Sequence, residues 1–415
     1  MLLSACSIEN GDALQQESPL ITHLEVWAHD DNGAGREAMQ KQVERFNEQH
    51  PRLQISAKFI PSAAYHETIE SAANSGKLPE ILELDGPFVY RQAWLGRLVP
   101  LDKHLTENTR RDLLPSVIQQ GLYHGRLYSL ATCSSGIVLF ARKSDLVKLG
   151  VRIPSTIDDA WTVDEFNQIM LKSRMHDTDG AVIDLKIDGG EWITRAFLPV
   201  ITSAGGDLIE RENYQHAEGY LNHENVIAAF KHIQSWVNKG LVDSNSDNRA
   251  FSEGRVVFSW ADYRDYLKYK KQFGDDLVML PLPDFGQGSR SAAGGWGWSI
   301  TRNSQFVQEA MRFIEYLYEE KEMLVRANET GSVPATYSAV GHSDPFAGKT
   351  LSNLSVKQLD AVSSVRPQTA AYPVITAAFQ NAFDEIIHHS DVKKSLDKAV
   401  RIIERDISDH QDYKY

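Results

Sequence analysis

Polar side chains follow two of the predicted strands, at the point where each strand ends. Asp85 comes directly after the apolar run 81–84. Four more polar residues lie at and beyond the end of the apolar run 24–29, namely His29, Asp30, Asp31 and Asn32. Open α/β sheets bind ligands beyond the carboxyl ends of their strands, where carboxylate groups can form charge-assisted hydrogen bonds. These residues are therefore candidate ligand contacts. The alternative is a turn residue at Asp85 and helix caps or solvated side chains for the others.

Tryptophans form a second group of candidates. The chain contains eight, and Trp296 and Trp298 flank Gly297. If this segment is a strand, both rings point to the same face, and each would offer a large flat apolar surface. Gly294, Gly295 and Gly297 would let a ligand approach the backbone closely.

The elements that must position these side chains begin with an alternating pattern. Apolar periodicity predicts strands at 24–29, 53–60 and 81–84, with helices at 34–50 and 63–74 between them. This order favours a parallel or mixed sheet covered by helices.

The same pattern continues along the chain and predicts an α/β fold. Thr162 and Glu165 form a capping box before one helix. Further strands are predicted at 136–141, 256–260 and 277–280, and further helices at 226–237, 305–318 and 393–409. No linker rich in Pro, Gly or Ser divides the chain. If the protein has two domains, the chain therefore crosses between them more than once.

Composition excludes several classes of protein. The chain has 415 residues, 42% of them hydrophobic and 24% charged, which is typical of a globular protein and not of a disordered one. With 43 Lys and Arg against 56 Asp and Glu, the net charge of −13 disfavours nucleic acid as the main partner. No apolar run reaches the roughly 18 residues needed to cross a bilayer. Two cysteines, Cys6 and Cys133, exclude a disulfide framework.

The amino terminus carries a short lipoprotein-like pattern. Residues 3–6 read Leu-Ser-Ala-Cys, which resembles a bacterial lipobox in which Cys6 would be acylated. The polar stretch 7–19 would then be a flexible tether. The alternative is a frayed terminus with an incidental cysteine.

Several short motifs occur in order along the chain. They are FNEQHP (46–51), LPEILELDGPF (78–88), HGRLYSLA (124–131), the segment 154–166, FSEGRVV (251–257), GGWGW (294–298) and GSVPA (331–335). In this order the motifs resemble the sugar-binding family of extracellular solute-binding proteins that serve ABC transporters. The likeness runs from about residue 21 to the last helix, although Glu80 stands where the family usually has Asp.

The resemblance implies two α/β lobes, a mixed sheet with flanking helices in each, joined by a hinge of several crossovers. After a tether at 1–20, the N-terminal lobe would comprise 21–131 plus 290–332, and the C-terminal lobe 132–289 plus 333–415. A carbohydrate would bind in the cleft, the hinge would close on it, and the protein would deliver it to a membrane permease. We expect no enzymatic activity, cofactor, metal or nucleic acid. The expected protein is a monomer outside the cytoplasmic membrane, held by a lipid on Cys6.

The resemblance also implies further cleft residues. Sugars present hydroxyl groups to carboxylates and amides, and apolar ring faces to aromatic side chains. Ser134 and Ser135 match the first crossover, where the family's maltose binder has a carboxylate, so a maltose-like pattern is in doubt. The other matched candidates are Glu191, Trp192, Trp260, Asp262, Tyr263, Arg366 and Tyr372. The alternative for Trp260 is a core position.

Three other functions stay open at this point. Asp85 and Glu191 could form the carboxylate pair of a hydrolase or lyase, although the sequence has no Gly-x-Ser-x-Gly, His-Glu-x-x-His or P-loop motif. The same fold could bind a non-sugar solute. The tryptophans and the small number of basic candidates favour a neutral sugar over an anion, since an acidic ligand would require arginine in the cleft, such as Arg142 or Arg366. A metal site from Asp384, Glu385, His388 and His389 is possible, but a solvated helix end is the simpler interpretation.

Overall fold

The computed structural model describes residues 21–414 apart from 31–32, 177–179, 188, 246, 345 and 347–353. The apolar and alternating runs form the strands, which are, in chain order, β1 (Thr22–Asp30), β2 (Leu53–Pro61), β3 (Ile81–Asp85), β4 (Leu122–Tyr123), β5 (Arg126–Leu127), β6 (Leu130–Ala131), β7 (Cys133–Ser134), β8 (Ile137–Arg142), β9 (Ile183–Asp184), β10 (Phe258–Asp262), β11 (Leu277–Leu280), β12 (Ser291–Ala292), β13 (Trp296–Ile300), β14 (Val333–Pro334) and β15 (Ser363–Ser364).

The amphipathic segments form the helices. In chain order they are α1 (Ala34–Gln49), α2 (Ser62–Asn74), α3 (Gly86–Trp94), α4 (Glu107–Asp112), α5 (Pro115–Gly121), α6 (Lys143–Leu149), α7 (Val163–His176), α8 (Glu191–Ser203), α9 (Glu224–Asn238), α10 (Asp265–Phe273), α11 (Val307–Leu317), α12 (Glu320–Thr330), α13 (Tyr337–Val340), α14 (Tyr372–Ile387) and α15 (Val392–Asp409). None of these helices is long and apolar enough to cross a membrane.

The first sheet has the strand order β2-β1-β3-β13-β6. β1 pairs in parallel with β2 and β3, as the alternating pattern predicted, whereas β13 returns antiparallel to β3. All five residues of β3 are buried because helices cover both faces of the sheet. Val26 and Phe46 belong to the core on one side, and Tyr65 and Leu84 to the core on the other.

The second sheet has the order β11-β8-β10-β9, with β8 antiparallel to both β10 and β11. Its core contains several large aromatic side chains, namely Trp161, Phe166, Phe197, Trp236 and Trp260. Helix α14 packs between α8, α9 and α15 on this side of the protein. The two mixed sheets with flanking helices confirm the predicted α/β class.

Three chain segments connect the two sheets and lie side by side. The segment around β7 pairs on one edge with β14, where Val333 lies opposite Ser134. On its other edge, Ser135 forms a bridge with Gly294, which leads into β13. A few adjacent backbone segments can bend together more easily than a packed core, as a hinge requires.

The carboxyl-terminal part of the chain also contacts the first half of the protein. The Trp94 indole nitrogen donates a hydrogen bond to the Lys414 carbonyl at 3.3 Å, and the Trp94 ring packs edge-on against Tyr413. Phe88 of α3 meets Tyr372 at the start of α14. The last two helices therefore pack on the second sheet's helices while their ends contact α3.

Candidate functional site

A cavity of about 280 Å³ lies where the strand ends of the first sheet, the crossovers and the start of α8 meet. A larger cavity of about 650 Å³ adjoins it and shares Gly35, Trp192, Arg264 and Thr330 with its wall. Small-ligand pockets typically measure ~300–1,000 Å³. Eight of the predicted residues line the smaller cavity, namely His29, Asp85, Ser134, Ser135, Glu191, Trp192, Trp296 and Arg366.

Strand pairing explains why an aromatic surface stands beside a carboxylate. Asp85 is the last residue of β3 and lies directly opposite Trp296, the first residue of the antiparallel β13. His29, near the end of β1, stacks on Trp296 with ring centroids 3.8 Å apart and an interplanar angle of 12°. Behind them, Tyr65 packs edge-on against Trp296 and His66 lies parallel to it.

Arg366 joins two carboxylates that come from opposite sides of the cavity. Its Nη1 and Nη2 atoms donate to the two oxygens of Asp85 at 2.9 and 2.6 Å, and Nη1 also donates to Glu191 Oε1 at 2.6 Å. The guanidinium side chain is only 2% exposed. Glu191 further accepts hydrogen bonds from the hydroxyls of Tyr372 and Thr376.

The two carboxylates respond differently to this buried position. For Asp85, burial alone would raise the pKa, but the charge of Arg366 and its two hydrogen bonds outweigh burial and hold the pKa below its ordinary value. For Glu191, burial dominates and the nearby charge of Asp85 adds to it, so the pKa is raised despite Arg366. Arg366 therefore favours the ionised form of Asp85 more strongly than that of Glu191.

A second ion-pair group lies on the side of the second sheet. Asp262, at the end of β10, contacts Arg195 Nη1 at 2.5 Å and accepts from Arg264 Nε at 3.3 Å. The Ser135 hydroxyl donates to the same carboxylate. Although burial would raise its pKa, the two arginines hold the pKa of Asp262 well below its ordinary value.

A third group lies on the side of the first sheet. Glu83 of β3 is buried and contacts His29 Nδ1 at 2.8 Å and Arg326 Nη2 at 2.6 Å. Burial would raise the pKa of Glu83, but Arg326 and His29 lower it. The cavity wall is thus built from four arginines, each paired with a buried carboxylate.

The chain is similar in sequence to proteins of a known family. A family model described as bacterial extracellular solute-binding protein matches residues 41–350. The chain belongs to this family. The maltodextrin-binding protein MdxE of Bacillus subtilis is 22% identical over 310 residues, 70% of each chain.

Solved structures of solute-binding proteins share the fold. The GacH receptor of Streptomyces glaucescens, solved unliganded and with acarbose, superposes with a TM-score of 0.78 at 20% identity, covering 95% of this chain and all of that one. An ABC transporter solute-binding protein from Thermotoga lettingae, bound with α-D-tagatose, gives a TM-score of 0.79 at 17% identity, covering 92% and 99%. These likenesses confirm the predicted two-lobed α/β fold.

Six further predicted contacts of this solute-binding protein are described by the structure and lie outside the wall of the smaller cavity. Asp30 forms an ion pair with Arg36 at 2.7 Å. Asp262 lines the larger cavity, and Tyr372 lies behind the wall, where it supports Glu191. Asp31, Asn32 and Cys6 lie outside the described residues.

Three predicted aromatic contacts are core residues. The Trp260 indole is fully buried and donates to the Ala196 carbonyl at 3.0 Å, which is the core position weighed as its alternative. The buried Tyr263 hydroxyl donates to Gln358 at 2.7 Å. Trp298 is buried in the core that contains Val26 and Phe46, whereas Trp296 packs against the other core.

The sequence analysis missed four charged residues of the site, Glu83, Arg195, Arg264 and Arg326. Arg195 had a detectable signal, since it follows Glu191 by one helical turn and so shares its face of α8. Arg264 had a weaker one, because it lies two residues beyond the candidate Asp262. Glu83 and Arg326 had none, since both lie within ordinary strand and helix patterns.

Proposed function

We propose that the protein captures a carbohydrate in the cavity between its lobes and delivers it to the permease of an ABC importer. The observation that carries this proposal is the stacked pair His29–Trp296. This pair lines the same cavity as Asp85, Arg366 and the crossover residues Ser134 and Ser135. A flat aromatic surface beside polar groups suits a sugar, whose ring has apolar faces and a polar edge. The relatives named above, which bind maltodextrin, acarbose and tagatose, support the same class of ligand.

The proposed lobes comprise 21–131 plus 290–332 and 132–289 plus 333–415. The side-by-side crossovers at Ser134, Gly294 and Val333 support a hinge between them. Closure would enclose the ligand between His29 and Trp296 of one lobe and Trp192 of the other.

The protein would act outside the cytoplasmic membrane, as the description of its family implies. We further propose a lipid anchor on Cys6, a monomeric state, and binding without chemical turnover. The guanidinium of Arg366 lies between Asp85 and Glu191 and donates to both, where a hydrolase would need room for the scissile bond, and this argues against a hydrolase pair.

A thermal-shift screen of the purified protein against neutral sugars, acidic sugars and polyols tests the proposal. A true ligand at a hundredfold excess over its dissociation constant stabilises the folded state by about 2.7 kcal/mol. Trp296→Ala should weaken binding roughly tenfold, because an aromatic contact is worth about 0.5–1.5 kcal/mol beyond its buried area. The control Tyr220→Ala removes an aromatic ring that is 43% exposed, and it should bind like the parent.

Absence of stabilisation by every carbohydrate in the screen would refute the proposal. Turnover of a glycoside by the purified protein would support a hydrolase or lyase. Stabilisation by a non-sugar solute alone would support a solute-binding protein for a ligand other than a sugar.

A further inference from the structure

Hydrogen-bond acceptors on the cavity wall are largely committed to partners within the protein. Both oxygens of Asp85 accept from Arg366. Glu191 accepts from Arg366, Tyr372 and Thr376. Each guanidinium, by contrast, carries five N–H donors and no acceptor. The wall therefore offers more donors than acceptors to a ligand.

Arg195 has the clearest unsatisfied donors. The residue is 9% exposed and lines the smaller cavity, with Nη1 placed 2.5 Å from Asp262. Its Nε and Nη2 atoms are buried and have no hydrogen-bond partner among the described residues. Gly294 permits this position, since a Cβ there would lie 2.3 Å from Nε. Buried unpaired donors are costly, so this edge of Arg195 would gain from an acceptor supplied by a ligand.

Other arginines in the same chain show what fits the edge formed by Nε and Nη2. Arg211 donates from these two atoms to the two oxygens of Asp207 at 2.7 and 2.8 Å. Arg45 does the same to Glu322 at 3.0 and 2.5 Å. Both are side-on, bidentate pairs with a carboxylate, a geometry that adds specificity as well as energy.

The charge of the cavities differs from that of the whole chain. The chain has a net charge of −13, yet the walls of the two adjoining cavities contain six Lys or Arg and five Asp or Glu. Asp262 contacts both Arg195 and Arg264. The cleft wall is therefore close to neutral, and it opposes the approach of an anion less than the acidic remainder of the chain does.

We propose that the ligand is an acidic carbohydrate whose carboxylate binds the Nε and Nη2 edge of Arg195. Its sugar ring would contact His29 and Trp296, and Arg326 would donate to it from the opposite wall. The larger cavity would accommodate further sugar units. Because Gly294 lies against Nε and Nη2 in this conformation, the ligand carboxylate would reach this edge of Arg195 only after the lobes move far enough apart to separate Gly294 from Arg195. This inference rests on the proposed function and narrows it to uronic acids and their oligomers.

Calorimetric titration with matched ligands tests the inference. The acidic probes are D-galacturonate with its dimer and trimer, and D-glucuronate. The neutral probes are D-galactose with its dimer and trimer, and D-glucose, and glucose 6-phosphate tests a phosphate in place of a carboxylate. At least one acidic probe should bind ten times more tightly than its neutral match, and its affinity should fall between 50 and 500 mM NaCl.

Substitutions of Arg195 test whether the carboxylate of the ligand binds this side chain. Arg195→Gln should weaken acidic binding tenfold or more and reduce the preference over the neutral match. Arg195→Lys should retain part of the preference for the acidic ligand, because the positive charge remains but the planar edge of the guanidinium is lost. Arg405→Gln also removes one positive charge, from a side chain 83% exposed on α15, and should leave binding unchanged. If Arg195→Gln does not fold, Arg326→Gln and the acidic-to-neutral ratio of the parent protein replace it.

Tighter or equal binding of a neutral sugar would overturn the inference and leave the proposed function intact. Binding of glucose 6-phosphate more tightly than the uronic acids would overturn the claim that the ligand's acidic group is a carboxylate. Failure of every carbohydrate would refute both proposals.

Discussion

Arg366 should be among the most important single side chains for the stability of the folded protein. Arg366→Gln removes the partner of two carboxylates, Asp85 and Glu191. Their side chains are only 9% and 26% exposed, so water replaces the lost partner poorly. Breaking a buried ion pair by removing one partner typically costs ~3–5 kcal/mol, because a charge is left uncompensated. With an unfolding entropy of roughly 2.1 cal/mol/K per residue, a loss of ~4 kcal/mol lowers the Tm of a chain of this length by about 5 °C.

The assay is thermal and urea-induced unfolding followed by circular dichroism at pH 8, 7 and 5. The double variant Arg366→Gln with Asp85→Asn should recover roughly half of the loss, since one of the two unpaired charges is gone. The penalty in Arg366→Gln should shrink as the pH falls. Without the arginine, burial raises the pKa of both carboxyls, so their protonation in acid favours the folded state.

A matched control tests whether the effect comes from burial. Arg405 forms an exposed pair with Asp409 at 3.7 Å, and Arg405→Gln should change stability by less than about 0.5 kcal/mol. Equal losses for Arg366→Gln and Arg405→Gln would refute the reasoning. So would a penalty that grows as the pH falls, or a double variant as unstable as the single one.

Two further predictions use titratable groups in or near the site. Burial lowers the pKa of His66, stacked against Phe88, from 6.5 to about 4. The unfolded chain therefore binds its proton first, and stability falls by roughly 3 kcal/mol from pH 7 to 4. His66→Phe should flatten urea-derived unfolding energies over that range, and an unchanged slope would contradict this. Burial raises the pKa of Cys133 to about 11. In a Cys6→Ser background, Ellman's reagent at pH 8 should therefore modify no thiol in the native protein and one in guanidinium; rapid native modification would refute it.

Local patterns were sufficient for much of the fold. The capping box is one example, since Thr162 accepts from the Glu165 backbone at 3.2 Å and Glu165 accepts from the Thr162 backbone at 2.9 Å. The helix predicted at 393–409 is α15, and the one at 305–318 is α11. The strand predicted at 256–260 is shifted by two residues to β10, because pairing with β8, not apolarity alone, decides where it begins.

The amino-acid sequence by itself determined the α/β class, the order of the early elements and the placement of Asp85 and His29 at a sheet edge, because these depend on backbone period and on neighbours along the chain. It also indicated the family. Only the tertiary structure decided which charges meet. Arg366 is 281 residues from Asp85 and Arg326 is 243 residues from Glu83. It also decided that Trp260 is a core residue while Trp296 lines the cavity. Such partners depend on how whole elements pack, and no local pattern carries that information.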